Sequence, residues 1–140
     1  MKNIDKSIEI ARAMFPGEYD SEYGYRTYHF AFLWRRNNLR SVGVNDPSNK
    51  SIKAINFAHK FRVSGLIRFP YLHAEVDAIS KLWGREKVDS SLTMIVIRLN
   101  KYMQLMPSKP CCKCHKIIES LGLTSKLYYS VNEDIVRYAI

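Results

Sequence analysis

The apolar positions of this chain change period several times, and each change marks a predicted element. Ile4, Ile8, Ala11 and Met14 recur at helical spacing until Phe15-Pro16-Gly17 ends the run, so a first helix is predicted near residues 4 to 14, one face on a sheet. The aromatic run Tyr28 to Trp34 and the stretch Leu39 to Val44 read as antiparallel strands joined by a hairpin at Asn37-Asn38. Asn45-Asp46-Pro47-Ser48-Asn49 has the composition of a loop. Residues 50 to 72 are mixed: Ile52, Ile55, Ala58 and Phe61 suit a short helix, whereas Gly65 and Pro70 break the segment. From His73 to Trp83, Ala74, Val76, Ala78, Ile79 and Leu82 describe a buried helix closed by Gly84. Leu92 to Leu99 is nearly all apolar, as in a strand covered on both faces, and belongs at the sheet centre. Pro110 opens a helix through Leu121 that Gly122 stops, Leu127 to Val131 returns as a strand, and Glu133 to Ile140 reads as a short last helix. The order describes one α/β domain over residues 1 to 140, a mixed sheet covered by helices.

Composition narrows the setting. The 140 residues carry 22 Lys+Arg against 13 Asp+Glu, a formal charge of +9 that favours anionic partners such as nucleotides, nucleic acid or a membrane surface without choosing among them. No apolar run reaches the roughly 18 residues of a membrane span. The start Met1-Lys2-Asn3-Ile4-Asp5 lacks the apolar core of a signal peptide, so a soluble, cytoplasmic protein with no membrane partner is expected. All three cysteines fall between Cys111 and Cys114, too close together for a disulfide framework, and read as metal or redox chemistry.

That chemistry sits at the starts of two predicted helices. Cys111 and Cys114, three apart, share a helix face and can grip one ion, while Cys112 is turned away by about 100°. The positive end of the helix favours their thiolate form, and Pro110 suits a first-turn position. His73 supplies an imidazole. Glu75, two residues on, reaches the same pocket only because His73 stands outside the helical repeat. Other readings of these residues exist. His115 can close a four-ligand structural zinc site, Cys111 to His115 spells the CxxCH of haem attachment, and CxxC alone is a redox pair. His29 and His59 lack a partner at ligand spacing and read as ordinary polar or packed residues.

His73-Ala74-Glu75 followed by Pro110-Cys111-Cys112-Lys113-Cys114 resembles the HxE and PCxxC motifs of the cytidine and deoxycytidylate deaminase superfamily, and by element order the resemblance extends from about Tyr28 to Val131. It implies a three-layer α/β/α domain around a five-stranded mixed sheet. It also implies Zn²⁺ held by His73, Cys111 and Cys114 with a fourth position open to water, and Glu75 carrying the proton from that water to the ring nitrogen before ammonia leaves. Asn45, in Gly43-Val44-Asn45, looks like the family's sugar-contacting Asn, and the backbone N–H of Ala74 is expected to meet the base carbonyl. Lys109 stands where many cytosine-acting relatives carry Ser.

The resemblance leaves the substrate open. Lys50, Lys53, Lys60, Arg62 and Arg68 lie between Asn45 and His73, where they can meet phosphate at a pocket rim or simply face solvent. Tyr71, Tyr128 and Tyr129 can stack bases or fill the core. The first expectation is deamination of the cytosine ring of a free nucleoside or nucleotide. The second is a deaminase of single-stranded DNA, RNA or tRNA, acting on cytosine or adenine. The third is a zinc-stabilised binding module without catalysis. The sequence itself does not reveal oligomeric state; the resemblance implies a homo-oligomer, since relatives commonly self-associate.

Overall fold

A computed structural model describes residues 2–15, 28–50, 52–63 and 71–138. The elements are α1 (Lys2–Met14), β1 (Tyr28–Arg35), β2 (Asn38–Val44), β3 (Asp46–Lys50), α2 (Ile52–Phe61), β4 (Tyr71–Leu72), α3 (Ala74–Leu82), β5 (Thr93–Leu99), β6 (Leu105–Met106), α4 (Cys112–Ser120), a 3₁₀ turn (Leu123–Lys126), β7 (Leu127–Val131) and β8 (Asp134–Arg137). The helix stop at Pro16-Gly17, the breakers Gly65 and Pro70, and Arg68 lie outside the described residues.

The sheet is mixed, in the order β2-β1-β5-β7-β8, with β6 paired to β5. It has six strands where five are expected. β5 is central, antiparallel to β1 on one side and parallel to β7 on the other. β7 follows it only from Met94 to Val96, and the overhanging end, Arg98 and Leu99, takes the short β6. Alternation along the strands divides the apolar side chains between two clusters. Phe30, Phe32, Trp34, Ile95 and Ile97 pack with Ala11, Ile4 and Ile8 of α1. Ala31, Leu33, Met94 and Val96 pack with α2, α3 and α4 through Phe57, Ala58, Val76, Ile79, Leu82, Cys114 and Ile117. Each fully buried Val, Leu, Ile, Phe or Met among them stabilises the fold by roughly 1.5–3 kcal/mol, so the helices carrying the candidate chemistry are held by the core itself.

Several expectations are corrected. Arg35 pairs with Asn38, so the first hairpin turns at Arg36-Asn37, one residue early, with Arg36 in the left-handed region at φ 54°. A register shift between Leu33 and Trp34 accommodates it. The expected loop at residues 45 to 49 is largely strand: Asp46–Lys50 pairs with Tyr71–Leu72, a partner distant in sequence, in a ribbon of two edge strands where Pro47 is tolerated. Pro110 precedes α4 rather than opening it, because Cys111 is extended (φ −66°, ψ 164°) and serves as the N-cap. The expected final helix from Glu133 to Ile140 is instead strand β8. Asn132 and Glu133, at φ 41° and 71°, make a two-residue turn of the kind that reverses a right-twisted strand, and Ile135 and Val136 then pair back onto β7. No helix among the described residues is long and apolar enough to cross a membrane.

Candidate metal centre

α3 reaches the site because β2 lets it come close. A Cβ built on Gly43 falls 2.0 Å from the Ala74 carbonyl oxygen and 2.4 Å from the Ala78 nitrogen, so only glycine permits this approach. Around it the helix is pinned: Ser41 Oγ donates to the Ala78 carbonyl at 2.7 Å, and Asp77 Oδ2 accepts from the Val44 N–H at 3.0 Å. Lys81 Nζ meets Asp77 at 2.9 Å and donates to the Val42 carbonyl at 2.9 Å. The helix therefore runs antiparallel to β2, and its N-terminus lies at the end of the sheet where β2 finishes.

At that N-terminus His73 is the N-cap residue, extended (φ −89°, ψ 148°) and making no side-chain cap bond, so its ring is left for other partners. Its Nδ1 lies 3.8 Å from Cys111 Sγ. The Cys114 N–H donates to the same sulfur at 3.5 Å, an N-cap bond in which a thiolate takes the usual place of an oxygen. The ligand atoms of His73, Cys111 and Cys114 lie within 4.8 Å of one another. Zn–S bonds of about 2.3 Å and Zn–N bonds of about 2.0–2.1 Å in a tetrahedron put ligand atoms roughly 3.5–3.8 Å apart, so the set closes on zinc with a contraction of about an ångström or less. Cys114 is buried and Cys111 exposed, giving the group a closed side and a side open to solvent.

The charge distribution follows from these contacts. In the metal-free site the Cys111 thiol is pulled down to about 3, chiefly by its hydrogen bond with the Cys114 thiol and then by those with His73 and the Cys114 N–H, against its burial. His73 is raised by the hydrogen bond to Cys111, and Cys114 is pushed well up by Cys111 and by burial. Cys111 is thus a thiolate, whereas Cys114 holds its proton, which metal uptake has to displace. Glu75, in the first turn of α3 and 4% exposed, is held above the usual carboxylate range by that burial, with Cys114 as a hydrogen-bonding neighbour. A carboxyl group that keeps its proton readily beside a metal-ligand set is suited to moving one.

The remaining candidates sort clearly. His115 faces away from the cysteines: its Nε2 lies 2.8 Å from Tyr138 Oη and its Nδ1 3.6 Å from a Glu119 carboxylate oxygen. Ala74 occupies the first turn of α3, beside His73. Asn45 is tied to the start of β1, its Oδ1 accepting from the His29 N–H at 3.0 Å and its own N–H donating to the His29 carbonyl at 3.3 Å. Lys60 lies over the Trp83 ring at 4.7 Å, and Arg62 is exposed. Tyr128 and Tyr129 pack against the two apolar clusters, and Lys109 lies over the Tyr138 ring at 5.8 Å. His59 is exposed on α2. The side chains of Lys50, Lys53 and Tyr71 lie outside the described part of the structure.

His29 belongs to this end of the molecule. It is lowered to about 4 by burial and then by Arg98 and His73, against an upward pull from Cys111, so it stays neutral among the site's charged groups. Nothing in its sequence neighbourhood signals this, because its strand brings it there. Compared with known proteins, the chain matches no family model, no curated protein and no solved structure.

Proposed function

We propose that this chain is a zinc-dependent hydrolytic deaminase of the cytosine ring in a free nucleoside or nucleotide, built on a three-layer α/β/α plan. The observation that carries the reading is the convergence of His73, Cys111 and Cys114 within 4.8 Å beside buried Glu75, with His115 engaged elsewhere. Three protein ligands leave one position for water, the pattern of catalytic rather than structural zinc. Zinc bound there supplies Lewis acidity to water at neutral pH. Glu75 would take a proton from water as the remaining hydroxide adds to the amine-bearing ring carbon, deliver it to the ring nitrogen, and then carry the proton of the new hydroxyl to the amine as the C–N bond breaks, leaving a ring carbonyl and ammonia. Asn45 orients the sugar, and the Ala74 N–H holds the base carbonyl. The polar groups are fixed before substrate arrives, so little reorganisation opposes the reaction.

The test is metal analysis with ammonia release across nucleosides, nucleotides and oligonucleotides. One zinc per chain and release from a cytosine compound are expected. Glu75→Ala keeps zinc and loses turnover, while Cys111→Ala loses zinc. Full activity in either variant, or a haem spectrum, sinks the assignment.

A polynucleotide substrate is the second reading. It is favoured by a cavity of about 570 Å³ lined by Arg35, Arg36, Asn38, Ser91 and Lys126, at the opposite end of β1 from His29. Six residue steps along the strand, from His29 to Arg35, span about 20 Å, a distance an extended single strand can bridge. Salt-sensitive oligonucleotide binding, without reaction of the free nucleotide, would select this reading.

A further inference from the structure

The site end of the sheet carries a polar row that the proposed chemistry does not use in full. Gly43 on β2 faces α3, and by alternation Asn45, two residues on, comes level with the helix start at His73. Asn45 is bonded to His29 on β1, and His29 stands opposite Arg98 on β5. His29 has the parity of Ala31 and Leu33, and Arg98 that of Met94 and Val96, all of which face α3 and α4. Asn45, His29 and Arg98 therefore stand side by side across three adjacent strands, on the face that carries the metal-ligand group. Two strand spacings, about 9–10 Å, separate the ends of the row, so side chains reaching inwards from them can meet the sugar and the phosphate of one nucleotide.

Arg98 is the unexplained member. Its Nε is buried and has no hydrogen-bond partner. Its Nη1 donates to the Pro107 carbonyl at 3.4 Å, at the long limit for such a bond. Among the described residues no carboxylate forms an ion pair with it. Arg98 is half-buried, its Nη1 bond to Pro107 lying at the surface, so the guanidinium is within reach of an arriving ligand while its buried Nε lacks an acceptor, a need that an anion brought by the substrate meets. The planar fork of arginine matches a phosphate with two parallel hydrogen bonds, and neutral His29 beside it adds a hydrogen-bonding group without competing charge.

We propose that Arg98, seated next to His29, is the residue that binds the substrate's phosphate, so that the site selects a nucleoside monophosphate over the bare nucleoside. The inference rests on the deaminase reading for the base, and its test is kept separate from turnover. In the zinc-loaded Glu75→Ala protein, calorimetry compares cytidine and deoxycytidine with their 5′-monophosphates. The monophosphates are expected to bind at least 10-fold tighter, with inorganic phosphate competing. Arg98→Gln removes that preference, Arg98→Lys restores part of it, and both bind the nucleosides within about 3-fold of the Glu75→Ala parent. In the active enzyme Arg98→Gln lowers kcat/KM for the monophosphate by about 10- to 100-fold, through charge-assisted hydrogen bonds, and leaves that for the nucleoside nearly unchanged. Arg98 acting only as a brace for Pro107 would instead weaken both ligands alike, and that result overturns the proposal. So does equal binding of nucleoside and monophosphate to the Glu75→Ala parent, a comparison that needs no Arg98 variant to fold. Phosphate preference lost in Arg98→Gln, with no ammonia released by the active enzyme from any substrate, refutes the deaminase reading while leaving the phosphate site intact.

Discussion

The hydroxyls of Ser108 and Ser130 lie 2.7 Å apart, buried where the segment that leads to Cys111 crosses the sheet. Ser108 Oγ donates to the Val96 carbonyl at 2.8 Å and accepts from the Ser130 N–H at 2.8 Å, and the Ser108 N–H donates to the Ser130 carbonyl at 2.9 Å. Ser130 Oγ, 2.6 Å from the Met106 carbonyl, shares its single proton between that acceptor and Ser108, and it also accepts from the Arg98 N–H at 3.2 Å. The pair thus joins β5, β6 and β7 to the cysteine segment. Ser130→Ala strands several of these groups in the interior and is expected to cost about 1–3 kcal/mol. Chemical denaturation measures the loss, and faster stripping of zinc by a chelator reports looser cysteines. Unchanged stability and unchanged chelation together would remove this role.

Gly43 allows a harsher test. A methyl group there meets backbone, at 2.0 Å from the Ala74 oxygen and 2.4 Å from the Ala78 nitrogen, which cannot move aside as a side chain could. Gly43→Ala must therefore push α3 off β2, and with it His73 and Glu75. The expected loss is at least about 3 kcal/mol, in the range of severe overpacking. Zinc content and thermal unfolding check it, and a variant of native stability with full zinc would show that the helix does not pack so closely.

The fate of His115 separates catalytic from structural zinc. Because its ring nitrogens face Tyr138 and Glu119, His115→Gln is expected to retain one zinc per chain, whereas Cys114→Ala loses it. Loss of the Tyr138 contact should cost about 1 kcal/mol of stability. Zinc quantified after dialysis against a weak chelator decides the matter, and loss of the metal from His115→Gln would make this histidine a ligand after all.

These residues show what local sequence can and cannot encode. His73, Glu75, Cys111 and Cys114 were legible because helix-start geometry fixes each pair within three residues, and joining the pairs required only that both helices begin at the same end of the sheet. The orientation of His115 was not legible, because it depends on Tyr138, 23 residues away on the far side of the β7–β8 hairpin. That hairpin was itself misread as helix. Its turn relies on left-handed backbone at Asn132 and Glu133, and glutamate gives no local sign of that conformation. β3 was read as loop for a related reason, since its partner β4 lies more than twenty residues along the chain. His29 and Arg98 could not be placed beside the site until the strand register was known.

His29 gives the fold a pH dependence of predictable sign. Its folded-state pKa is lowered from 6.5 to about 4, mainly by burial and then by the nearby Arg98 and His73 charges. Between those values the unfolded chain binds a proton that the folded protein refuses, so stability falls as pH drops from about 6.5 and the loss is complete below about 4. A shift of this size corresponds to about 3 kcal/mol, at about 1.4 kcal/mol per unit. The zinc-free protein, in which His73 is raised by its hydrogen bond to Cys111, is the form to measure. Denaturant melts at intervals between pH 7 and 4 should show the decline, and His29→Gln, neutral throughout, should flatten that part of the curve. Carboxylates that titrate below pH 5 add their own slope, so the decisive interval is pH 6.5 to 5, where His29 alone is expected to separate the two proteins. Parallel curves across that interval would mean that His29 is protonated in the folded state, and therefore that it lies nearer to solvent, or farther from Arg98, than the strand register places it.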